Sequence, residues 1–213
     1  MIKVIIDAMP TLLAGALTTI LITVASMAIA VLGGLLIGVL RVLGGPLVNI
    51  LLMIFVEIFR GIPLLVLMFF SYFGLPQIGI QISNNNAAIL ALGVWGAANG
   101  SEIVRGAITS IARGQTEAAA SLGLGRLAIM GFVILPQAAR RMVAPFMSLF
   151  TAVCESSSLA ALINVTDLTE HGRVYVERFP TVGFAVYTAV MLIYFFINYP
   201  ISVAAGRLER RLT

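Results

Sequence analysis

Residues 113–136 read RGQTEAAASLGLGRLAIMGFVILP, and they sit in the middle of a very hydrophobic chain without being written like a membrane span. Thr116 is placed to cap a helix start, with Glu117 in the first turn, where a negative charge meets exposed N–H dipoles. Ala118, Ala119 and Ala120 favour helix and carry almost no side chain. Gly123 and Gly125 stop that helix, and Arg126 opens a second short one running towards Pro136. A helix with an alanine face closed by glycine lets another protein's surface come close to its backbone, as when a short helix docks into a groove.

Around this stretch the chain is a membrane protein by composition. Of 213 residues, 60% are hydrophobic and 10% charged, and the mean hydropathy is +1.07. The apolar runs are continuous instead of alternating, so they predict helices and not a barrel. At about 20 residues per crossing there is room for roughly five spans, short loops and no soluble domain. The net charge of +4 does not point to nucleic acid, because the arginines flank apolar runs and form no patch. Cys154 is the only cysteine, which excludes an intrachain disulfide and a thiol-rich metal site. Ala28 and Ala30 resemble a leader cleavage site, but apolar sequence continues to Leu40, and the reading is an uncleaved span.

Taken in order, residues 1–10 form a short amphipathic lead ended by Pro10, and the first span covers about 12–40. Its Gly33, Gly34 and Gly38 permit close helix packing in lipid. Arg41 and the Gly44-Gly45-Pro46 turn end it. A second span, about 47–73, carries Glu57 and Arg60, with a kink expected at Pro63. A third, about 87–111, carries Glu102 and Arg105 towards its end. Arg140 and Arg141 lead into a fourth span of about 143–154, short and interrupted by Pro145. A polar region, 155–180, precedes the last span at about 181–205 and a basic tail of Arg207, Arg210 and Arg211.

Five spans put residues 41–46, the 113–136 segment and the C-terminus on one side of the membrane. Arg41, Arg113, Arg126, Arg140, Arg141, Arg207, Arg210 and Arg211 all fall there, against Lys3, Arg173 and Arg178 on the other. Arginine collects on the cytoplasmic side, so the segment faces the cytoplasm, with the N-terminus outside and the C-terminus inside.

Charges within spans cost about 2.5–3.5 kcal/mol each at a helix centre. Glu57/Arg60 and Glu102/Arg105 are spaced i,i+3, so each pair can meet on one helix face. Either they are structural ion pairs fixing helix packing, or they line a polar path that meets the charged ends of a small zwitterion. Arg105 can also snorkel to the membrane surface. His171 stands alone in the polar region as a solvated or interfacial residue, and Asp167 with Glu170 gives thin support for a metal, so none is expected.

Glu117-Ala118-Ala119, three residues, Gly123, nine residues, then Val133-Ile134-Leu135-Pro136 resembles the EAA loop of ABC-importer permeases, EAA-x3-G-x9-I-x-L-P, with Val133 in place of isoleucine. Phe59-Arg60-Gly61-Ile62-Pro63-Leu64 is similar to the FRGTPL segment of the polar amino-acid permeases, with Ile62 where threonine is usual. Ser101-Glu102-Ile103-Val104-Arg105-Gly106, then Gly114-Gln115 and Pro136-Gln137-Ala138, match that subfamily's run, so the similarity covers nearly the whole chain. The resemblance implies an all-α type I importer fold, with one transmembrane permease domain over 1–213 and a cytoplasmic coupling helix in 113–136. It implies that Gly114, Gln115, Glu117, Ala118, Ala119, Gly123, Leu135 and Pro136 couple to an ATP-binding subunit. The implied partners are two such subunits carrying ATP and Mg, a second permease (the same chain or a sister) and an extracytoplasmic amino-acid-binding protein. The implied place is a bacterial inner membrane.

One departure bears on substrate. Such permeases commonly read K-D-T-S-L after the fourth span, whereas here Glu155-Ser156-Ser157-Ser158-Leu159 stands. In the family this segment lies by the translocation path, so glutamate in place of lysine leans the reading towards basic or amide amino acids. Glu155 can equally face a lipid headgroup or a neighbour's arginine. Glu57, Arg60, Glu102, Glu155, Ser157 and Ser158 are the candidate path residues.

No GxxxxGK[ST] phosphate loop is present, so ATP is not expected to bind this chain. GxSxG and HExxH are absent too, so the chain is read as a transport subunit and not an enzyme. The alternative is an ion- or proton-coupled carrier using Glu57 and Glu102 as titrating groups. Carriers usually carry inverted repeats, and no internal repeat is visible.

Overall fold

The computed structural model describes the backbone of residues 2–212 and the side chains of residues 4–210. Lys3 and Arg211, counted in the charge pattern, lie outside the described side chains. Every regular element among the described residues is helical.

The first helix, α1 (Ile2–Leu43), is unbroken for 42 residues, about 60 Å at 1.5 Å per residue. Pro10 was expected to end a separate lead, and instead it lies inside α1. Proline removes one donor, and beside it the Thr11 hydroxyl donates back to Ala8 O at 2.7 Å. α2 (Pro46–Gly61) follows, then α3 (Leu64–Phe69), which runs on through a π turn and a 3₁₀ turn to Ile78. The pair is bent by 100°, so the expected kink at Pro63 is a near right-angle break.

α4 (Asn84–Thr109) is the central helix. A Cβ added at Gly33 would meet Ala97, one at Gly34 would meet Gly100, and one at Gly38 would meet Val104. Ser26 donates to Ile89 O higher up. Contacts advance together along both helices, so α1 and α4 are parallel. The chain must therefore recross between them, and α2 with α3 supplies that crossing. Four single helices are long and apolar enough to cross a membrane, and counting the bent pair as one span gives up to five, in line with the roughly five expected from composition.

After α4 come α5 (Arg113–Ser121), the single turn α6 (Arg126–Ala128), a π segment and α7 (Leu135–Ser156). The fourth span is longer than 143–154, because helix is continuous from Arg126 to Ile163. Arg141 reaches back to Ser110 O and Oγ at 2.8 Å, so the arginines lie within the helix and tie it to the end of α4, and do not mark a helix start. Pro145 lies inside α7 without ending it. α7 runs antiparallel to α4: Met142 packs near Val104, and Ala160 near Ala87 and Ala88. Last come α8 (Leu168–Arg178) and α9 (Gly183–Leu212). α9 lies alongside α1 in the same direction, beginning with Val186 against Leu12. The ends of α1, α4 and α9 thus share one end of the bundle with α5.

The polar region 155–180, expected without a span, folds into α8 and its flanking turns. Asp167 caps α8 by accepting Glu170 N–H at 2.8 Å, and it also accepts the Tyr194 hydroxyl at 3.3 Å. Thr19 on α1 accepts Leu168 N–H at 3.1 Å, so this one turn joins α1, α8 and α9. His171 packs against α1 at Gly15, an interfacial place.

Burial pushes the Asp167 carboxyl up from its ordinary 3.8 to about 6, assisted by the nearby Glu170 charge and opposed by the Glu170 N–H and the Tyr194 hydroxyl. The folded state holds this proton more tightly than the unfolded chain. The resulting stabilisation is full below pH 3.8 and is lost as pH rises through 6. The two values are separated by about 3 kcal/mol. Asp167→Asn keeps an oxygen for the cap, so the variant's melting temperature is expected to vary less than the wild type's between about pH 4 and 7. Parallel curves would contradict this.

Candidate functional site: a docking helix and a polar groove

The helix expected to dock corresponds to α5. Ile111 is buried where α4 turns off, and Ala112 precedes the helix with no side-chain cap. Thr116 therefore does not cap, and Glu117 is not in the first turn. The anchor at Ile111 sets the start of the helix one turn earlier than the cap signal suggests. Ala119 is buried in a cluster with Ile108, Ile129 and Met130, while Glu117, Ala118 and Ala120 are exposed. Glycine closes the helix: Gly123 has φ +81°, its N–H reaches Ala120 O at 2.9 Å, and Leu124 N–H reaches Ala119 O at 3.2 Å. This pair of bonds is a Schellman ending, in which the left-handed residue is strained for anything but glycine.

The second half of the motif fixes α5 to the bundle. Gln137 donates to Gln115 at 3.3 Å and to Val133 O at 2.7 Å. Leu135 packs on the same cluster as Ala119, and Pro136 follows directly on the π segment Ile129–Ile134, a widened turn of the kind that accommodates a missing N–H inside a continuous helix. The helix opened by Arg126 is not short, since it continues into α7. Gly114 is exposed with open space around it. Leu122, Leu127 and Phe132 present 77–83% of their surface outward around the helix. Leu122 follows α5 directly, whereas Leu127 and Phe132 belong to the apolar stretch Arg126–Ile163, which is long enough to cross a membrane.

The path candidates fall into three places. Glu57 and Arg60 approach to 3.9 Å on the exposed side of α2, and Arg60 also reaches Asn99 at 3.4 Å. Glu102 is held by Arg105 at 2.7 Å and also by Arg41 of α1. Only the i,i+3 partner was legible in the sequence. Arg41 shows 7% of its side chain, so the carboxylate is engaged from both sides and ties α1 to α4 near the docking end.

Glu155 lies elsewhere, in a groove of about 300 Å³ between α7 and α9, with Thr151, Tyr194, Asn198, Tyr199 and Ser202. Asn198 is 9% exposed, and its Oδ1 accepts no hydrogen bond. A buried amide oxygen without a donor costs roughly 1–3 kcal/mol, which a ligand N–H can recover. Ser157 and Ser158 turn inward to their own helix, donating at 2.7 Å to Cys154 O and Glu155 O. Thr151, Tyr194 and Asn198 were missed in the sequence. Asn198, a lone amide in the run YFFINYP, was the available signal.

Residues 30–213 match the family described as binding-protein-dependent transport system inner membrane components. The chain is similar to a probable glutamine ABC transporter permease protein, GlnP, of Bacillus subtilis, 37% identical over 93% of this chain and 92% of that one. It is also similar to the glutamine transport system permease protein GlnP of Escherichia coli, 35% identical over 96% and 94%. Among solved structures, an amino acid ABC transporter described as crystallised with histidines superposes with a TM-score of 0.88 at 29% identity, over 97% of this chain and 96% of that one. The MetNI methionine ABC transporter in an inward-facing form gives 0.80 at 26%, over 96% and 97%.

Proposed function

The chain belongs to the family of binding-protein-dependent transport system inner membrane components, and from that premise we propose how this multi-pass permease subunit of an amino-acid ABC importer works. It is a single permease domain whose end bearing α5 faces the cytoplasm, supported by the arginines gathered there. α5 is the coupling helix: Glu117 and the exposed alanines enter a cleft on an ATP-binding subunit, which carries ATP and Mg. Two such subunits, a second permease and an extracytoplasmic binding protein complete the importer.

When ATP draws the two ATP-binding subunits together, each coupling helix moves with its partner. Ala119, Ile111 and Ile129 tie α5 to the ends of α4 and α7. α4 is locked in turn to α1 along a glycine seam and through Glu102 and Arg41. The movement is therefore carried as a rigid tilt and not absorbed as local bending.

The substrate is a polar amino acid, basic or amide-bearing. The observation that carries this reading is the groove lined by Glu155 and Asn198, whose buried side-chain oxygen has no donor. Glu155 accepts from an ammonium or guanidinium, and Asn198 Oδ1 accepts an N–H. The glutamine permeases among the relatives support the amide-bearing option. Glu102, with guanidiniums on both sides, is not left free to act as a carrier's titrating group.

The test is substrate-stimulated ATP hydrolysis in the reconstituted importer. Glu155→Lys is expected to weaken stimulation by arginine and glutamine about tenfold or more, while glutamate is less affected, because a hydrogen bond to a charged group is worth about 1.5–3 kcal/mol. Asn198→Ala should raise the half-saturating concentration without lowering the basal rate. An unchanged order of preference in both variants overturns the assignment.

A further inference from the structure

We propose that the joint between the coupling helix and the membrane-spanning helices is a binding site for the headgroup of an anionic phospholipid. A cavity of about 360 Å³ opens beneath α5, floored by the apolar side chains of Leu43, Ile108 and Ile129 and rimmed by Arg113, Thr116 and Arg126. That volume is in the range of small-ligand sites, about 300–1,000 Å³.

Neither Arg113 nor Arg126 has an ion-pair partner among the described residues. Two guanidiniums thus face one cavity with no carboxylate of this chain to balance them. The ends of α1 and α4 form the floor, and Arg41 and Arg141 sit at the same end of the bundle. The cavity is therefore at the level where lipid phosphates lie, with its apolar floor continuous with the spans. A soluble anion uses the arginines and wastes the floor. A lipid uses both, with its phosphate between the guanidiniums and its glycerol and upper acyl carbons over Leu43 and Ile108.

Thr116 lies within α5 and Arg126 beyond its glycine ending. A lipid bridging them spans the turn that joins the coupling helix to α7. Occupancy therefore stiffens the joint through which movement of α5 reaches the bundle. The binding claim is independent of the amino-acid groove and is tested without transport.

The complex is placed in phosphatidylcholine vesicles carrying a minor fraction of spin-labelled phosphatidylglycerol, and the immobilised label is measured. Arg113→Gln with Arg126→Gln should weaken retention about thirtyfold, from the loss of two basic contacts. Arg210→Gln, in the tail of α9, serves as control and should change it little. Thr116→Trp, which fills the cavity and keeps both arginines, should also release the label, which separates a seated lipid from general surface attraction. Retention unchanged in the double variant overturns the proposal. Displacement by inorganic phosphate overturns it in favour of a soluble anion. Label held by the permease alone but not by the complex overturns it in favour of a protein occupant.

Discussion

Glu117→Lys and Gly123→Trp are each expected to abolish substrate-stimulated ATP hydrolysis and to strip the ATP-binding subunit from the permease during purification. The two act by different routes. Glu117 is exposed on α5 and its side chain makes no hydrogen bond or ion pair among the described residues, so lysine leaves the permease folded and reverses one charge on the exposed face of α5. Gly123 has open space where a Cβ would project, so tryptophan does not clash there. Its φ of +81° is what excludes a side chain. Holding a non-glycine residue in that region costs roughly 1–2 kcal/mol. The cheaper response is to undo the Schellman ending and let α5 run on or fray, which turns its alanine face away from the cleft. Membrane insertion and melting temperature of the permease alone should stay close to wild type in both. Intact association and stimulation in both variants would remove α5 as the coupling element.

Gly100→Leu should have the largest effect on folding. A Cβ at Gly100 would lie 2.9 Å from Ala30 O and 3.1 Å from the Phe146 ring, and the Gly34 backbone is 3.5 Å away. Backbone cannot step aside as a flexible side chain can, so α1 and α4 must separate. The rows at Gly33, Gly34 and Gly38 then lose their contacts together. Overpacking typically costs about 1–3 kcal/mol and more where backbone is forced to move, a fall of about 10 °C in melting temperature for a chain of this size. Gly106→Leu is the matched control. It lies six residues further along α4, where an added Cβ meets nothing within 4 Å, and leucine is the better helix former. It should melt at or above the wild-type temperature. Equal losses at the two positions would mean that helix propensity, and not the α1–α4 seam, governs stability.

Much of the site was legible because it is local. The alanines, the glycine stop and the leucine-proline pair act within one turn of their neighbours, so their spacing along the chain is their spacing in space. Thr116 misled because a cap signal is only a preference, and burial of Ile111 overrides it. The limits of the fourth span were misjudged for a related reason. Arg140 and Arg141 read as a boundary between loop and helix, but a helix can carry arginines past the membrane surface and hold one of them against Ser110.

Composition and the 113–136 pattern were enough to determine a helical membrane protein of four to five spans, with a short alanine-rich helix between two of them. Each of those properties follows from the cost of placing a given residue in hydrocarbon or from its nearest neighbours in sequence. Only the tertiary structure decided that α1 and α4 run parallel with their glycines interlocked, that Arg41 shares Glu102 with Arg105, and that Glu155 lies in one groove with Asn198. Those pairings join residues between about forty and seventy positions apart. Nothing in a linear pattern specifies which face of one span meets which face of another, because in lipid that choice is made by the fit of side chains across the contact.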